Sequence, residues 1–500
     1  MGNLDTNTPI DAPTEATTGS AATPTNKIVD LRDGVRVLRS WGQPSGTAAK
    51  VYKARDLDQL REVVTSSTGR GLIPRGHGHS LGDAARCGGG SVVTLKRSLA
   101  NPAVTGLNWE TQRATVRLGA TIAQINEELL VRGWFIPTGS TTSQSTFASA
   151  LSTNALGPGG TVDGHAHSSV QSLVAMTSNG EVVTWERDRH KSQPSVGTQD
   201  GPIDIDSGSG FSAFIGGLGL VGVGLSAEVA IEPVTTSWMV VESVRSTSLA
   251  ETLQLLEMAS TTSPYATALI DPSATGLKTG RGLVRSARHA EIEDLPDNRQ
   301  AEALKYDERI PSPPKSVSSR LLDPRIAHRV HKLRYYTWPT TPIVDLQPIA
   351  EFFHLDDVTG KYPSLVGPLG MVRYAFSIPQ ASGPHIASVL DAIRETGSTF
   401  GRVSINQTNS FSPTMLGHSR PCLSVTIDVA NPTLALTDVL NECDQELVAL
   451  GGQVALDSDS RLDAALVSEM FEKITQWREF KAQIDTHQRL ASDLSRRLAL

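Results

Sequence analysis

The stretch Pro74-Arg75-Gly76-His77-Gly78-His79-Ser80-Leu81-Gly82-Asp83 limits the folds open to this chain more than any other segment. It follows the apolar pair Leu72-Ile73, so a strand feeds directly into a glycine-rich loop. Glycine tolerates positive φ and leaves room for backbone N–H groups to close on an anion. The spacing is G-x-G-x-x-x-G with no helix opening on the last glycine, whereas the dinucleotide fingerprint needs G-x-G-x-x-G at a helix start. No Gly-Lys-Ser/Thr follows, which excludes a P-loop. Taken alone, such a loop is more often structural than ligand-binding. Its surroundings decide its meaning.

Upstream, Lys50-Val51-Tyr52-Lys53 reads as a strand, and Leu57, Leu60, Val63 and Val64 form a helical stripe. Downstream comes a strand at Ala114–Leu118, then a helix opened by Thr121 that carries Ile122, Ile125, Leu129 and Leu130. A long small-residue tract runs from Pro137 to Ser169. Strands follow at Ser172–Thr177 and Val182–Trp185, joined by an Asn179-Gly180 hairpin turn, and Glu228–Ile231 closes the first half. From about 234 to 455, strand-like runs (SWMVVESV, MVRYAFSI, CLSVTIDV) alternate with helical ones (HIASVLDAIRETG, LALTDVLNECDQELVALG), which predicts an antiparallel sheet covered by helices. Polar, proline-punctuated Asp294–Ser319 reads as a mobile surface loop, and the tail from Ala464 as helical. Residues 1–27 hold almost no large apolar groups and read as a disordered N-terminal arm.

Composition removes several function classes. With 45 Lys+Arg against 52 Asp+Glu, the net charge of −7 argues against a dedicated nucleic-acid binder. The longest apolar stretch, Ala213–Leu225, contains five glycines and is too short to span a bilayer; it predicts a turn into a buried strand. No transmembrane segment or secretory leader is visible. Cys87, Cys422 and Cys443 are too dispersed for a zinc site or a disulfide framework, which fits a reducing compartment. A cytoplasmic protein is expected, with peripheral membrane association left open.

Three collinear segments, RGHGHSLGDAA, PTGSTTSQSTFASALSTNALG and FIGGLGLVGV, occur in the order found in flavoenzymes. They resemble the FAD-binding domain of the vanillyl-alcohol oxidase / p-cresol methylhydroxylase superfamily. From about Val35 to Leu500 the chain resembles the decaprenylphosphoryl-β-D-ribose oxidase family, with LPDNRQAEALKYDERIP, MVRYAFSIP and RLASDLSRRLAL as further matching segments. The resemblance implies an α+β, two-domain flavoprotein. A PCMH-type FAD-binding domain (35–233) would precede an antiparallel-sheet substrate domain covered by helices (234–455). A C-terminal helical segment (456–500) would return to the FAD domain. Pro74, Arg75, Gly76, His77, Gly78, His79, Ser80, Leu81, Gly82, Asp83 and Ala84 would wrap the FAD pyrophosphate. Gly139, Thr146, Phe147, Ala148, Ser149, Thr153, Asn154, Gly157 and Val223 would supply further contacts.

In sugar-lactone and alditol oxidases of this superfamily, the histidine of a G-x-G-H-S loop is joined covalently to the flavin. The resemblance therefore offers two roles for His79, covalent attachment of FAD or a hydrogen bond to it. The active-site residues that the resemblance implies are replaced: Leu156, Gly157 and Pro158 stand for a His-Gly-Lys stretch facing the flavin. Thr426 stands for a cysteine, Ser424 for an asparagine, Ser458 for a lysine and Ala455 for a tyrosine. Catalytic candidates must then come from His165 and His167, or from Arg373, Arg402 and Asn406 on the sheet strands. A lone histidine is more often a loop residue, and the arginines serve equally well as ion-pair partners. The expectation is an FAD-dependent oxidoreductase acting on a CH–OH group of a sugar, polyol or lipid-linked sugar, with dioxygen or a quinone-like electron acceptor. The alternatives are a sugar-lactone oxidase with covalent FAD and a catalytically degenerate flavin-binding subunit.

Overall fold

The computed structural model describes residues 29–30, 34–43, 45–137, 139–187, 192–194, 204–307, 323–358, 369–409, 412–417 and 421–500. The expected N-terminal arm, 1–27, lies outside the described residues. The first sheet has the order Val29–Asp30, Val35–Arg39, Gly46–Ala54, Ser91–Leu95, Leu72–Pro74. Its helix Leu57–Thr65 starts where the Asp56 side chain accepts from the Gln59 backbone N–H, and it buries Leu60, Val63 and Val64. The crossover this helix provides lets Gly46–Ala54, Ser91–Leu95 and Leu72–Pro74 run parallel. The glycine-rich loop leaves from the C-terminal end of such a strand, a common place for ligand loops in sheets of this kind.

The second sheet is antiparallel, in the order Val182–Glu186, Val170–Met176, Val223–Ala230, Arg113–Arg117, Val104–Asn108. Thr121 and Gln124 form a capping box on the helix Ile122–Leu130, whose Ile122, Ile125, Leu129 and Leu130 are buried. The apolar stretch from Ala213 holds more than the expected turn. It begins inside a helix, Ser207–Phe214, before the glycine turn delivers the strand Val223–Ala230.

The third sheet has eight antiparallel strands, ordered Ile343–Pro348, Trp238–Arg245, Gly282–His289, Tyr265–Ile270, Thr399–Thr408, Cys422–Ala430, Met371–Pro379, Gln453–Val454. Helices His385–Glu395 and Leu434–Ala449 pack beside each other. Ile386, Val389, Leu390 and Ile393 of the first are buried, as are Leu436, Leu440 and Leu447 of the second. The start of the expected mobile loop is instead ordered, with a turn at Ile292–Asp294 and a helix at Asp297–Gln300. It is held there by the Arg288–Asp294 ion pair at 2.7 Å and by Arg299 over the Trp238 ring at 4.3 Å. Residues 308–319 of that loop lie outside the described residues.

After the last strand the chain crosses back to the first sheet. The Leu72 N–H donates to the Arg489 carbonyl at 2.7 Å, and the Ala491 N–H donates to the Leu72 carbonyl at 3.0 Å. Trp477, fully buried, donates from Nε1 to the Ala213 carbonyl at 3.0 Å. One apolar core joins all of this, running through Phe147, Leu151, Phe214, Phe376 and Trp477. Among the described residues no helix is long and apolar enough to cross a membrane.

Candidate active site

A cleft of about 310 Å³ opens between the loops of the first half and one face of the eight-stranded sheet. Residues Pro74 to Leu81 and Ala84 line it, as do Gly139, Thr146, Ala148, Ser149, Thr153, Asn154 and Val223. A Cβ at Gly76 would collide with the hydroxyls of Thr146 and Ser149, so glycine there lets the two loops close on each other. Thr146 Oγ1 accepts the Ser149 N–H at 3.2 Å, fixing the second loop as the cap of Phe147–Ser152. Arg75 donates to the carbonyls of Ala85 (2.9 Å) and Arg39 (2.7 Å) and meets no carboxylate among the described residues. Burial, with Arg86 nearby, lowers its pKa to about 10. An unneutralised guanidinium among small hydroxylated side chains and close-packed backbone is a donor set that fits the diphosphate of FAD.

Four of the expected cofactor residues lie off the cleft. Phe147 is fully buried in the core, because the hydroxyl-capped helix turns its first apolar side chain inward. Gly82 is packed against the Asp459 backbone, and Asp83 pairs with Arg497 at 2.9 Å. Gly157 packs on the Gly139 backbone. The side chains of Phe147 and Asp83 and the close approaches of Gly82 and Gly157 are engaged with the protein itself.

His79 lines the cleft, and its ring has no hydrogen-bond partner among the described residues. Burial and the neighbouring His77 lower its pKa, partly offset by Asp357 and Asp356, which favours a neutral imidazole. His165 also lines the cleft, with Nδ1 at 2.7 Å from Asp163 Oδ1. His167 does not. It is 1% exposed, bonded through Nδ1 to Asn154 Oδ1 at 2.7 Å, and burial pushes its pKa down to about 3. A histidine so reluctant to take a proton is a poor base.

The floor of the cleft comes from two neighbouring strands. Arg373, Ala375 and Ser377 on Met371–Pro379 and Cys422, Ser424 and Thr426 on Cys422–Ala430 all line it, at every second residue. Ala375 pairs with Thr426 and Ser377 with Ser424. Asn406 pairs with Ser424 from the other side and so shares that face. Its Oδ1 is buried with no hydrogen-bond partner among the described residues. Such an orphaned acceptor is costly unless a ligand satisfies it. The Cys422 thiol is pushed up to about 12 by burial, which keeps it protonated.

Arg373 and Arg402 belong to an ion network under this floor. Arg373 pairs with Asp428 at 2.6 Å and with Asp356 at 3.3 Å, and Arg402 pairs with Asp356 at 2.7 Å. Burial alone would raise the Asp356 carboxyl, but Arg373 and Arg402 hold it far below the usual carboxylate range. Asp356 also accepts from Thr141 Oγ1 at 2.5 Å, and Asp357 accepts from Thr142 Oγ1 at 2.6 Å and the Ser143 N–H at 2.8 Å. The acidic pair therefore ties the sheet to the cofactor-side tract. Arg402 and Asn406 lie outside the cleft lining, whereas Arg373 and Asp356 belong to it.

Sequence reasoning passed over Asp457. It lines the cleft from the segment Ala455–Ser458, where the Gly82 N–H meets the Asp457 carbonyl at 3.3 Å. No cation pairs with its carboxylate among the described residues, and burial pushes its pKa up to about 6, with Arg373 pulling the other way. Its position between Ala455 and Ser458, which the resemblance puts close to the flavin and near the substrate respectively, was the available signal.

Residues 48–186 match the family described as an FAD binding domain. The chain is 27% identical over 473 residues to decaprenylphosphoryl-beta-D-ribose oxidase of Mycolicibacterium smegmatis, covering 93% of this chain and 97% of that protein. It is 28% identical over 388 residues to a Streptomyces coelicolor protein described as an uncharacterized protein in mprA 5'region, covering 76% of this chain and 100% of that one.

Proposed function

We propose that this chain, an FAD-dependent oxidoreductase of the FAD-linked oxidase superfamily, oxidises a CH–OH group of a sugar, a polyol or a lipid-linked sugar. The observation that carries the substrate class is the sheet face of the cleft. There Ser377, Ser424, Thr426 and Ser458 line the cleft with hydroxyl side chains, and Asn406, paired with Ser424 on the neighbouring strand, keeps a buried unsatisfied Oδ1. A polyhydroxylated ligand offers both the donors and the acceptors such a surface lacks. The name of the M. smegmatis relative, a lipid-linked ribose oxidase, agrees with this class. Leu156, Ser424, Thr426, Ala455 and Ser458 replace active-site residues that the resemblance implies, so the sugar taken here is expected to differ.

FAD, when held by residues 74–81 and 139–154, supplies the acceptor for the hydride leaving the carbinol carbon. Asp457 takes the hydroxyl proton. A carboxylate with a pKa near 6 is ionised at neutral pH yet basic enough to accept a proton as the C–H bond breaks. His165, oriented by Asp163, lies on the cleft wall and positions a substrate hydroxyl. Arg373, fixed by two carboxylates, sets the position of the strand that carries Ala375 and Ser377. Dioxygen or a quinone-like molecule takes the electrons afterwards.

A neutral, unpartnered His79 imidazole favours covalent attachment of the cofactor. One preparation addresses both readings. The yellow protein is mixed anaerobically with a panel of sugars and polyols, and a second portion is precipitated with acid. Bleaching by a polyol is expected; a flavin that no member of the panel reduces would favour a degenerate binding subunit. Colour in the acid pellet of the wild type, lost in His79→Ala, is the expected result for attachment at His79. Colour released to the supernatant by the wild type refutes it.

A further inference from the structure

The helix Pro324–Thr337 packs through Ala327, His331 and Tyr335, one every fourth residue. His331 Nε2 meets the Phe400 carbonyl at 3.0 Å, and the Tyr335 hydroxyl donates to the Ser246 carbonyl at 3.0 Å. The guanidinium of Arg281 lies 3.7 Å from the centre of the Tyr335 ring. With 3.6 residues per turn, that stripe fixes the opposite face as the one turned to solvent. Single apolar residues are ordinary on such a face, but several grouped together mark a surface that meets a partner or a membrane. This one presents Leu333, Tyr336 and Val330, which are 69%, 57% and 48% exposed.

Arg325, Arg329 and Lys332 are interleaved with these apolar side chains, all exposed and with no carboxylate partner among the described residues. The helix itself contains no acidic residue; Asp323 only caps it. In a chain with a net charge of −7 this is a local cationic excess. Beyond the helix, Ile343 and Val344 are 51% and 62% exposed at the start of the strand Ile343–Pro348, which forms the edge of its sheet.

We infer that this face docks on an anionic lipid bilayer. A helix lying flat at the headgroup level would sink Val330, Leu333 and Tyr336 toward the acyl boundary while Arg325, Arg329 and Lys332 engage lipid phosphates. A second copy of the chain fits the face poorly. Two such surfaces would oppose three cations to three cations with no carboxylate between them, whereas the cores of protein interfaces are depleted of charge. The inference stands on this surface alone and does not depend on the substrate of the cleft.

The test is co-sedimentation of the flavin-loaded protein with vesicles of phosphatidylcholine, alone or mixed with phosphatidylglycerol, at low and high salt. Binding to the mixed vesicles at low salt is expected, with little binding to pure phosphatidylcholine. Leu333→Asp combined with Val330→Asp is expected to abolish it. Arg325→Gln, Arg329→Gln and Lys332→Gln should each weaken partitioning roughly fivefold, the factor for about 1 kcal/mol per basic side chain. An unchanged flavin spectrum shows that the variants are folded. Wild-type protein left in the supernatant with anionic vesicles overturns the inference, as do variants that sediment like wild type. So does a wild-type dimer that Leu333→Asp dissociates without any vesicle binding.

Discussion

The two walls of the cleft are built on different principles. On the glycine-rich side, Gly139 brings backbone close to backbone, while Gly76 and Gly78 leave room for the Thr146 and Ser149 hydroxyls and the Arg75 guanidinium. On the sheet side, Ser377, Ser424 and Thr426 present side chains from two strands, Asn406 stands beside Ser424 on a third, and Asp457 adds a carboxylate from a further segment. A backbone-built wall tolerates little added volume but depends weakly on which polar residues stand nearby. A wall built of side chains can be respecified one residue at a time while the sheet beneath stays intact.

That contrast can be broken most sharply at Gly76. Gly76→Val should abolish flavin binding, because its side chain must displace the Thr146 and Ser149 hydroxyls; the flavin-to-protein absorbance ratio measures this. Retained stoichiometric FAD would mean that the loops do not need their close approach. Next in size is Asp457→Asn, expected to lower kcat by about 100-fold or more with flavin content unchanged. The pH profile sharpens the point. In wild type, activity should rise with pH through about 6, as the carboxylate ionises, and the variant should lack that limb.

Stability moves the other way. A carboxyl whose folded pKa is raised from 3.8 to about 6 contributes stability fully below 3.8 and loses it as pH rises through about 6. Asp457→Asn is therefore expected to melt no lower than wild type at neutral pH. A large loss of melting temperature would assign Asp457 a structural role instead.

Asp356→Asn tests the joint between the walls. It leaves Arg373 and Arg402 short of a buried counter-charge, and losing one partner of such a network costs about 3 to 5 kcal/mol. Thermal unfolding of the flavin-loaded protein reads this directly, and a shift within error of wild type would remove the joint from the account. The smallest effect is expected at Asn406→Ala, a rise in KM of several-fold for a polyol that bleaches the flavin, with kcat nearly unchanged. A fall in kcat at constant KM would place Asn406 in the chemistry rather than in recognition.

Much of the fold was legible in the chain. The stripe Leu60, Val63 and Val64, the Thr121 cap and the Asn179-Gly180 turn are local signals, and each stands where its spacing places it. The helix Ser207–Phe214 was hidden because Gly208 and Gly210 lower helix propensity; packing of Phe211 and Phe214 in the core outweighs that cost. That the Phe147 side chain would turn into the core was not legible, because a motif records which residues are neighbours in sequence, not which way a capped helix turns them.

What the sequence determined by itself was the glycine-rich wall. Positive φ, close backbone approach and helix capping depend on residues a few positions apart, so glycine spacing and Thr/Ser placement write them directly into the chain. Only the tertiary structure decided the sheet wall. Alternation on a strand tells which residues share a face, but not that Asn406, Ser424 and Ser377 would be brought abreast by the pairing of three strands. Nor does it show that Asp457, an unremarkable acid in sequence, would be left in the cleft without a cation while Asp356 and Asp428 took the arginines. Charge pairing and desolvation are properties of three-dimensional neighbourhoods, and they separate two carboxylates that the sequence writes with the same letter.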